Sequence, residues 1–322
     1  MPIPEHLKTV VSNLPESPGI YKFYDEKQRL LYIGKSKNLK NRVRTYFRKQ
    51  SDETHERTLM MIFHINEIQI RQTETELEAL ILEDNLIKKH LPPYNVKQKK
   101  FKEQVYIFAT ADKFPAFRIV SNDEVDFTEH MFGLFKDKYT AEYILLFINK
   151  ILKLRSCTDP TPVNKCMLAG IGKCLGPCQN DLPDYNEIVQ IALEFLKGNA
   201  KPISREISQQ IDLAAQNLDF EEAAEFRNMQ DYCGNFAKRQ KFIFDFMNEN
   251  VLINSASFHF LFQKGKLIKV YKRKPDDKQL ITKINLFRSG QDLPAFHLMD
   301  RAYVVWVWMK KNISEYIVLD NQ

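Results

Sequence analysis

Long hydrophobic runs are absent from this 322-residue sequence. The longest apolar stretch is AYVVWVWM at 302–309, whereas a helix needs about 20 apolar residues to cross a bilayer. The opening residues, MPIPEHLKTVVSNLP, contain no apolar segment flanked by basic residues, so we expect no signal peptide. Internal repeats and low-complexity tracts are also lacking. These absences argue against a membrane protein, and we expect a cytoplasmic location.

Cysteine is scarce, with five residues in the chain. A cytoplasmic protein keeps its thiols reduced, so clustered cysteines indicate a metal site before they indicate disulfides. Four of them follow the pattern C-x8-C-x7-C-x3-C in a loop-like segment, 157–178: Cys157, Cys166, Cys174 and Cys178. Four such thiolates can enclose Zn²⁺ or an iron–sulfur cluster, and the spacing alone leaves both open, along with metal-free cysteines. Cys233 falls in a helical pattern, where we expect a buried apolar residue.

Acidic residues are missing from two windows of the chain. The net charge is only +6, but residues 27–49 carry nine basic side chains and residues 88–102 carry six. The rest of the chain therefore has a net charge of −9. Positive charge concentrated in this way suits a polyanion-binding surface, although solvated helix faces can show the same pattern.

Residues 14–98 predict a small α/β domain. Residues 19–24 and 30–34 are rich in aromatic and β-branched side chains and flank a polar turn, which indicates a β-hairpin. Apolar residues at 39, 43 and 47 then have helical spacing. A helix near 54–64, a strand at 66–71 and a helix ending near Lys89 follow. Thr73 and Glu76 fit a capping box for that last helix.

The pattern of predicted helices and strands divides residues 99–322 into smaller segments. Residues 99–156 predict a connecting module with one or two strands and a helix near 139–154. Residues 200–236 predict an antiparallel helical hairpin that turns at 217–219. Residues 250–322 predict a small α+β region with a β-hairpin near 251–273, an apolar helix at 296–310 and a final strand, EYIVLD.

Candidate catalytic residues are concentrated around the predicted hairpin. Tyr21 and Tyr32 occur in the tripeptides GIY and YIG on its two strands, and Lys35 follows the second strand. Arg42 and Tyr46 lie one turn apart on the next helix. Glu83 lies in a later helix, and Asn95 follows two prolines. This set, together with LPESPGIYKF, LYIGKSKNLKNRVRTYF and LEALILEDNLIKKHLPPYN, resembles the GIY-YIG nuclease half of the UvrC/Cho family.

The resemblance implies a role for each residue in phosphodiester hydrolysis. Tyr32 would be the general base, with Lys35 and a divalent cation lowering its pKa from about 10. Arg42 would clamp a phosphate with its planar fork. The other residues would support this centre: Tyr21 and Tyr46 by hydrogen bonding, Asn95 as part of the site, and Glu83 as the ligand of Mg²⁺ or Mn²⁺. Lys37, Lys40, Arg44 and Arg48 would contact DNA.

Helical spacing leaves two candidates for the metal-binding carboxylate. Glu83 and Asp84 both fall among apolar positions, where an unpartnered carboxylate is costly. The pattern does not choose between them. The family resemblance selects Glu83.

Two further segments are similar to the same family. LRSC through KCMLAGIGKCLGPC resembles its cysteine region, which implies a [4Fe–4S] cluster, with Zn²⁺ as the alternative. IDLAAQNLDFEEAAEFRNM resembles the UVR motif, a helical hairpin that pairs with a UvrB-like partner. Its alanines would form a small-residue seam, Ala214, Ala215, Ala223 and Ala224. The alternative is that this hairpin packs on its own chain.

The chain departs from a full UvrC in length, and this sets the alternatives for its function. Residues after 250 offer no convincing carboxylate triad for a second nuclease centre, so the chain resembles the short Cho-like form. The resemblance implies a repair endonuclease that cuts damaged double-stranded DNA on the 3′ side of a lesion. A structure-specific or restriction-like nuclease without repair partners is an alternative. A non-catalytic DNA- or partner-binding adaptor is another.

Overall fold

The computed structural model describes residues 3–48, 56–96, 105–121, 128, 130–135, 137–158, 166–179, 184–287 and 294–319. It divides into two compact units, Met1–Phe101 and Lys102–Gln322. Four lysines of the second basic window (Lys97, Lys99, Lys100 and Lys102) and Lys49 of the first lie outside the described residues.

The first unit is built on a three-stranded antiparallel sheet. Strand β1 is central, between β2 and β3. The elements are α1 (Glu5–Ser12), β1 (Gly19–Tyr24), β2 (Leu30–Ser36), α2 (Leu39–Phe47), α3 (Glu56–Phe63), β3 (Glu67–Gln72) and α4 (Glu76–His90). The predicted small antiparallel sheet with flanking helices is confirmed.

Local sequence explains where the two helices nearest the hairpin begin. Asn38 accepts a hydrogen bond from the backbone N–H of Asn41 at the start of α2. A capping box begins α4, but it joins Thr75 and Glu78 rather than Thr73 and Glu76. The prediction was wrong by two residues because Thr73 instead donates its hydroxyl to the carbonyl of Thr75.

The second unit begins with another three-stranded antiparallel sheet, in the order β5-β4-β6. The connecting module thus has three strands, whereas one or two were predicted. Helices cover this sheet, and the two longest form the predicted hairpin with Asp219 as the cap of the second. The elements are β4 (Val105–Ala109), β5 (Phe117–Ser121), β6 (Met131–Phe135), α5 (Lys138–Leu152), α6 (Met167–Gly170), α7 (Tyr185–Leu196), α8 (Lys201–Gln216) and α9 (Phe220–Asn248).

The helical hairpin shares a core with the connecting module. Ile203, Ile207 and Phe226 of the hairpin are buried in the same cluster as Phe147 of α5 and Phe195 of α7. The hairpin therefore packs on its own chain along one face. Its alanine seam is only partly as predicted, because Ala214 and Ala223 are buried while Ala224 is exposed. Cys233 is buried in this core, as expected.

A four-stranded antiparallel sheet ends the second unit, in the order β10-β7-β8-β9. The predicted hairpin is the β8–β9 part of this sheet, and the final strand pairs with β7. The elements are β7 (Asn250–Asn254), β8 (His259–Gln263), β9 (Lys266–Tyr271), α10 (Asp277–Leu286), α11 (Ala295–Lys311) and β10 (Glu315–Leu319). Of the helices in the described part of the chain, none combines the length and apolar character needed to cross a membrane.

Candidate active site

The register of β1 and β2 places the two motif tyrosines on one face of the sheet. Tyr21 pairs with Gly34, and Phe23 pairs with Tyr32. Side chains at alternate positions of a strand share a face, so Tyr21, Phe23 and Tyr32 lie side by side. The ring centroids of Tyr21 and Tyr32 are 6.1 Å apart.

Helix α2 brings a third tyrosine and an arginine to this face. The hydroxyls of Tyr21 and Tyr46 are 2.8 Å apart and share a hydrogen bond. Arg42 donates from Nε to the Tyr21 hydroxyl at 3.4 Å and from Nη2 to the Tyr46 hydroxyl at 3.5 Å. Its guanidinium carbon also lies 5.2 Å from the Tyr46 ring centroid. Tyr21 and Tyr46 are buried while Arg42 is exposed, so the positive charge lies at the surface of the cluster.

Helix α4 brings a buried carboxylate to the edge strand β2. Glu83 is 7% exposed, and its Oε1 accepts a hydrogen bond from the backbone N–H of Lys35 at 2.9 Å. Asp84 is equally buried but forms an ion pair with Lys88 at 2.7 Å. Glu83 also lies close enough to Tyr32 to raise the pKa of its phenol. Of the two candidate carboxylates, Glu83 is the one in contact with the hairpin.

Asn95 positions the YIG strand through two hydrogen bonds to its backbone. Its Oδ1 accepts from the backbone N–H of Ile33 at 2.9 Å, and its Nδ2 donates to the carbonyl of Ile33 at 2.7 Å. This two-way bond mimics a strand partner, and the side chain is 3% exposed. Asn95 therefore holds the backbone between Tyr32 and Gly34.

The electrostatics around Tyr32 differ from expectation. Its pKa is raised rather than lowered, first because of burial and then because of Tyr46 and Glu83, while Arg42 opposes the shift. Lys35 was expected to lower this pKa, but its ammonium group forms an ion pair with Glu76 at 2.5 Å. Burial also raises the pKa of Tyr21 well above its usual value. The protein groups around Tyr32 thus favour the neutral phenol.

The residues present fit a single divalent cation bound at Glu83. Mg²⁺ is usually held by one or two carboxylates, with water and substrate phosphate completing its octahedral shell. A lone buried carboxylate beside tyrosine hydroxyls matches that donor set. Over the described residues, no group of three or more His, Cys, Asp or Glu side chains could hold a metal. Glu83 stays the candidate ligand that the family resemblance implies.

The predicted DNA-contacting residues lie in two different environments. Lys37 pairs with Glu76 at 3.0 Å, and Lys40 pairs with Glu16 at 3.2 Å. Arg44 is half-buried on α2, and Arg48 is exposed at its end. Glu76 was not singled out from sequence, where it was taken only as a helix cap. Its contacts with Lys35 and Lys37 lower its pKa despite partial burial.

Three of the four loop cysteines lie close enough to the fourth, Cys174, to affect its pKa. Cys174 and Cys178 are buried, and Cys157 and Cys166 are half-buried. Burial raises the pKa of Cys174, and the other three thiols add to that shift, although the backbone N–H of Gly176 donates to Cys174 Sγ at 3.3 Å. These thiols are not arranged as a metal ligand set in the described residues, and 159–165 lie outside them.

A buried arginine that sequence reasoning missed holds the start of this loop. Arg155 is 1% exposed and forms a bidentate ion pair with Asp112, at 2.7 and 2.8 Å. Its Nε donates to the carbonyl of Phe114, and its Nη1 donates to the carbonyl of Cys157 at 3.0 Å. Arg155 thus joins the first cysteine to the turn between β4 and β5. A basic residue two positions before a cysteine was the only signal in the sequence.

Comparison with known proteins agrees with this geometry. Residues 17–96 match the family model described as "UvrC-like GIY-YIG domain", and residues 104–195 match "UvrC/Cho excinuclease, middle domain". The chain belongs to the UvrC/Cho family. The UvrABC system protein C of Ligilactobacillus salivarius is 35% identical over 266 residues, which are 82% of this chain and 43% of that protein. The corresponding protein of Acinetobacter baumannii is 36% identical over 230 residues, 69% of this chain and 38% of that one.

The chain spans about two fifths of the length of these UvrC relatives. A solved structure of the N-terminal GIY-YIG endonuclease domain of UvrC from Thermotoga maritima, bound to magnesium, is 36% identical to it. That structure covers 29% of this chain and 100% of its own, with a TM-score of 0.26. The match of residues 17–96 to the UvrC-like GIY-YIG model identifies this segment as a domain of that type.

Proposed function

We propose that this chain is a divalent-cation-dependent DNA endonuclease of nucleotide excision repair. The observation that carries the proposal is the convergence of Tyr21, Tyr32, Arg42 and Tyr46 on one sheet face, with Glu83 bound to the backbone of the YIG strand. An adaptor would have no use for a buried carboxylate beside three tyrosine hydroxyls and an exposed guanidinium.

Each side chain of the site has a separate role in hydrolysis. Arg42 binds a non-bridging phosphate oxygen, since its fork is exposed and its position is held by the hydroxyls of Tyr21 and Tyr46. Tyr32, half-buried beside Tyr46, accepts the proton of the attacking water. Asn95 keeps the strand that carries Tyr32 in register with Glu83. Lys35 supplies charge near the site and is held by Glu76.

A divalent cation completes this chemistry. Mg²⁺ or Mn²⁺ bound at Glu83 would neutralise charge on the phosphate and favour the ionised form of the nearby Tyr32 phenol. The raised pKa of Tyr32 makes this contribution necessary, because the protein groups alone hold the phenol neutral. We therefore assign to the cation alone the role that was first expected of Lys35 and the cation together.

The helical hairpin has an exposed apolar surface that suits a protein partner of the UvrB type. One face of the hairpin packs in cis, but its turn exposes large apolar side chains: Leu213 is 50% exposed, Phe220 67% and Leu218 73%. Exposed apolar residues grouped at a tip are typical of a protein contact. We propose that this tip binds the partner, and that the GIY-YIG centre makes the single cut on the 3′ side of the lesion.

The four loop cysteines are proposed to hold a [4Fe–4S] cluster, with Zn²⁺ as the alternative. The influence of the other three thiols on the pKa of Cys174 supports a shared ligand, but they are not arranged as a ligand set in this structure, so cluster binding would have to draw them closer together. Anaerobically purified protein should absorb near 400 nm if the cluster is present. Colourless protein with one equivalent of zinc would support the alternative instead, and metal-free protein would contradict both.

An incision assay tests the proposed function. The substrate is a duplex with one bulky adduct, and UvrA and UvrB are added or omitted in the presence of Mg²⁺. We expect one cut on the 3′ side of the adduct, dependent on both proteins. Cutting that ignores adduct and partners would favour a structure-specific or restriction-like nuclease. Binding without any cutting would favour the adaptor.

A further inference from the structure

A basic pocket in the second unit lies between α9 and α11. It has a volume of about 240 Å³, and Asn235, Lys238 and Arg239 of α9 face Trp306 and Lys310 of α11 across it. Lys238 and Arg239 lie three and four residues after Asn235, and Lys310 lies four residues after Trp306, so each set is on one side of its helix. The pocket belongs to neither the GIY-YIG centre nor the cysteine loop.

Arg239 is the unusual member of this pocket. Its guanidinium lies 5.4 Å from the ring centroid of Phe236 and 5.7 Å from that of Tyr303, so two aromatic rings hold its position. Its Nε is buried and has no hydrogen-bond partner among the described residues. Burial lowers the pKa of Arg239, and only Tyr303 and Tyr232 oppose that shift. No carboxylate of the described chain compensates this charge.

Two lysines add to the charge at the mouth of the pocket. Lys238 and Lys310 are both exposed, and Lys310 Nζ lies 4.7 Å above the Trp306 ring. Within the described ranges, neither lysine forms an ion pair with an acidic side chain. Asp137 lies near Tyr232, but its Oδ1 already accepts hydrogen bonds from Thr140 at the start of α5. Three cations therefore share one pocket without an anion.

We propose that this pocket binds a backbone phosphate of nucleic acid. The planar fork of Arg239 suits a phosphate, and the lysines provide the additional charge. Both lysines are exposed at the pocket, which suits a ligand that continues beyond it into solvent. The pocket is also built from helix sides, far from the starts of α9 and α11, and so lacks the backbone N–H groups that hold free phosphate at a helix N-terminus.

The proposal adds a second DNA contact to the chain, and the choice of DNA as the polymer rests on the proposed function. Its test is the salt dependence of binding of the full chain to a fluorescent duplex oligonucleotide, measured by anisotropy in EDTA. Lys310→Gln and Lys238→Gln should each weaken binding and reduce the slope of log Kobs against log salt by about 1. Lys311→Gln is the matched control, since Lys311 is exposed on the same helix but does not line the pocket.

The outcomes separate this inference from the proposed nuclease function. An unchanged slope in both pocket variants, or an equal change in Lys311→Gln, would overturn the site even if the wild-type chain cuts DNA. A reduced slope only in the pocket variants would support it even if the wild-type chain fails to cut. Binding of inorganic phosphate and of dAMP is measured at matched ionic strength. Phosphate or dAMP binding that both pocket variants lose, together with duplex binding that they retain unchanged, would assign the pocket to a free phosphate ligand and contradict the DNA contact.

Discussion

The hydroxyl of Tyr21 lies 2.8 Å from the hydroxyl of Tyr46, and Arg42 donates to both. Tyr21 comes from the first strand of the sheet and Tyr46 from the helix that follows the hairpin. Their hydrogen bond therefore joins the GIY strand to the helix that carries the phosphate-binding arginine. Removal of either hydroxyl should disturb the position of Arg42 as well as the tyrosine itself.

The Tyr21–Tyr46 pair predicts non-additive stability effects. Tyr21→Phe and Tyr46→Phe should each lower the free energy of unfolding by about 1 kcal/mol, because each leaves a buried hydroxyl with one partner fewer. The double variant should lose less than the sum of the two, with a coupling of about 0.5–1.5 kcal/mol. Urea unfolding of the four proteins checks this. Strictly additive losses would show that the two hydroxyls do not interact.

Gly34 predicts a steric effect at the same site. A Cβ at this position would lie 2.3 Å from the hydroxyl oxygen of Tyr21 and 2.8 Å from Cε1 of Tyr32. Gly34→Ala should displace both rings, destabilise the protein by about 1–3 kcal/mol and reduce cutting. Gly234→Ala is the control, since Gly234 lies within α9 with open space around its Cβ. That change should leave cutting intact and raise stability by up to about 1 kcal/mol. A neutral Gly34→Ala would contradict the packing described here.

The buried thiol of Cys233 should make the stability of the protein depend on pH. Burial raises the pKa of its thiol from about 9 to about 12. The unfolded chain ionises this thiol above about pH 9 while the folded chain does not, so its contribution to stability is complete below pH 9. That contribution declines as the pH rises towards 12, by about 1 kcal/mol at pH 10. The stability difference between wild type and Cys233→Ala should shrink accordingly between pH 8 and pH 10. A constant difference would show that the thiol is not protected.

The sequence predicted the GIY-YIG domain more fully than the rest of the chain. Strand alternation located β1 and β2 within two residues, and the apolar stripe at 39, 43 and 47 fell within α2, because each of these elements buries one clear face. The capping box of α4 was misplaced because two threonines, Thr73 and Thr75, each precede an acidic residue by three positions. Only the backbone geometry selects Thr75.

Other features depend on contacts that spacing cannot reveal. The ion pair of Lys35 with Glu76 joins residues 41 positions apart, so the expected effect of Lys35 on Tyr32 could not be checked from sequence. Helix α7 was missed although Tyr185, Val189, Ala192 and Leu196 have helical spacing. Helix α10 buries only Leu280 and leaves little apolar pattern to detect. Arg155 and Arg239 gain their roles from residues distant in the chain or on another helix.

The adjacent carboxylates Glu83 and Asp84 give the most direct test of the active site. Both are buried on α4, but Glu83 bonds to the backbone of Lys35 while Asp84 pairs with Lys88. Cutting of a duplex should be measured with Mg²⁺ for Glu83→Gln, Asp84→Asn and Tyr32→Phe, alongside DNA affinity in EDTA.

We expect Glu83→Gln and Tyr32→Phe to lose cutting by roughly 100-fold or more, with DNA affinity largely unchanged. Asp84→Asn should lose stability because it removes the ion pair with Lys88, but it should retain cutting under conditions where it is folded. Full activity in Glu83→Gln, or loss of cutting in folded Asp84→Asn alone, would contradict the assignment of Glu83 as the metal-binding residue of this centre.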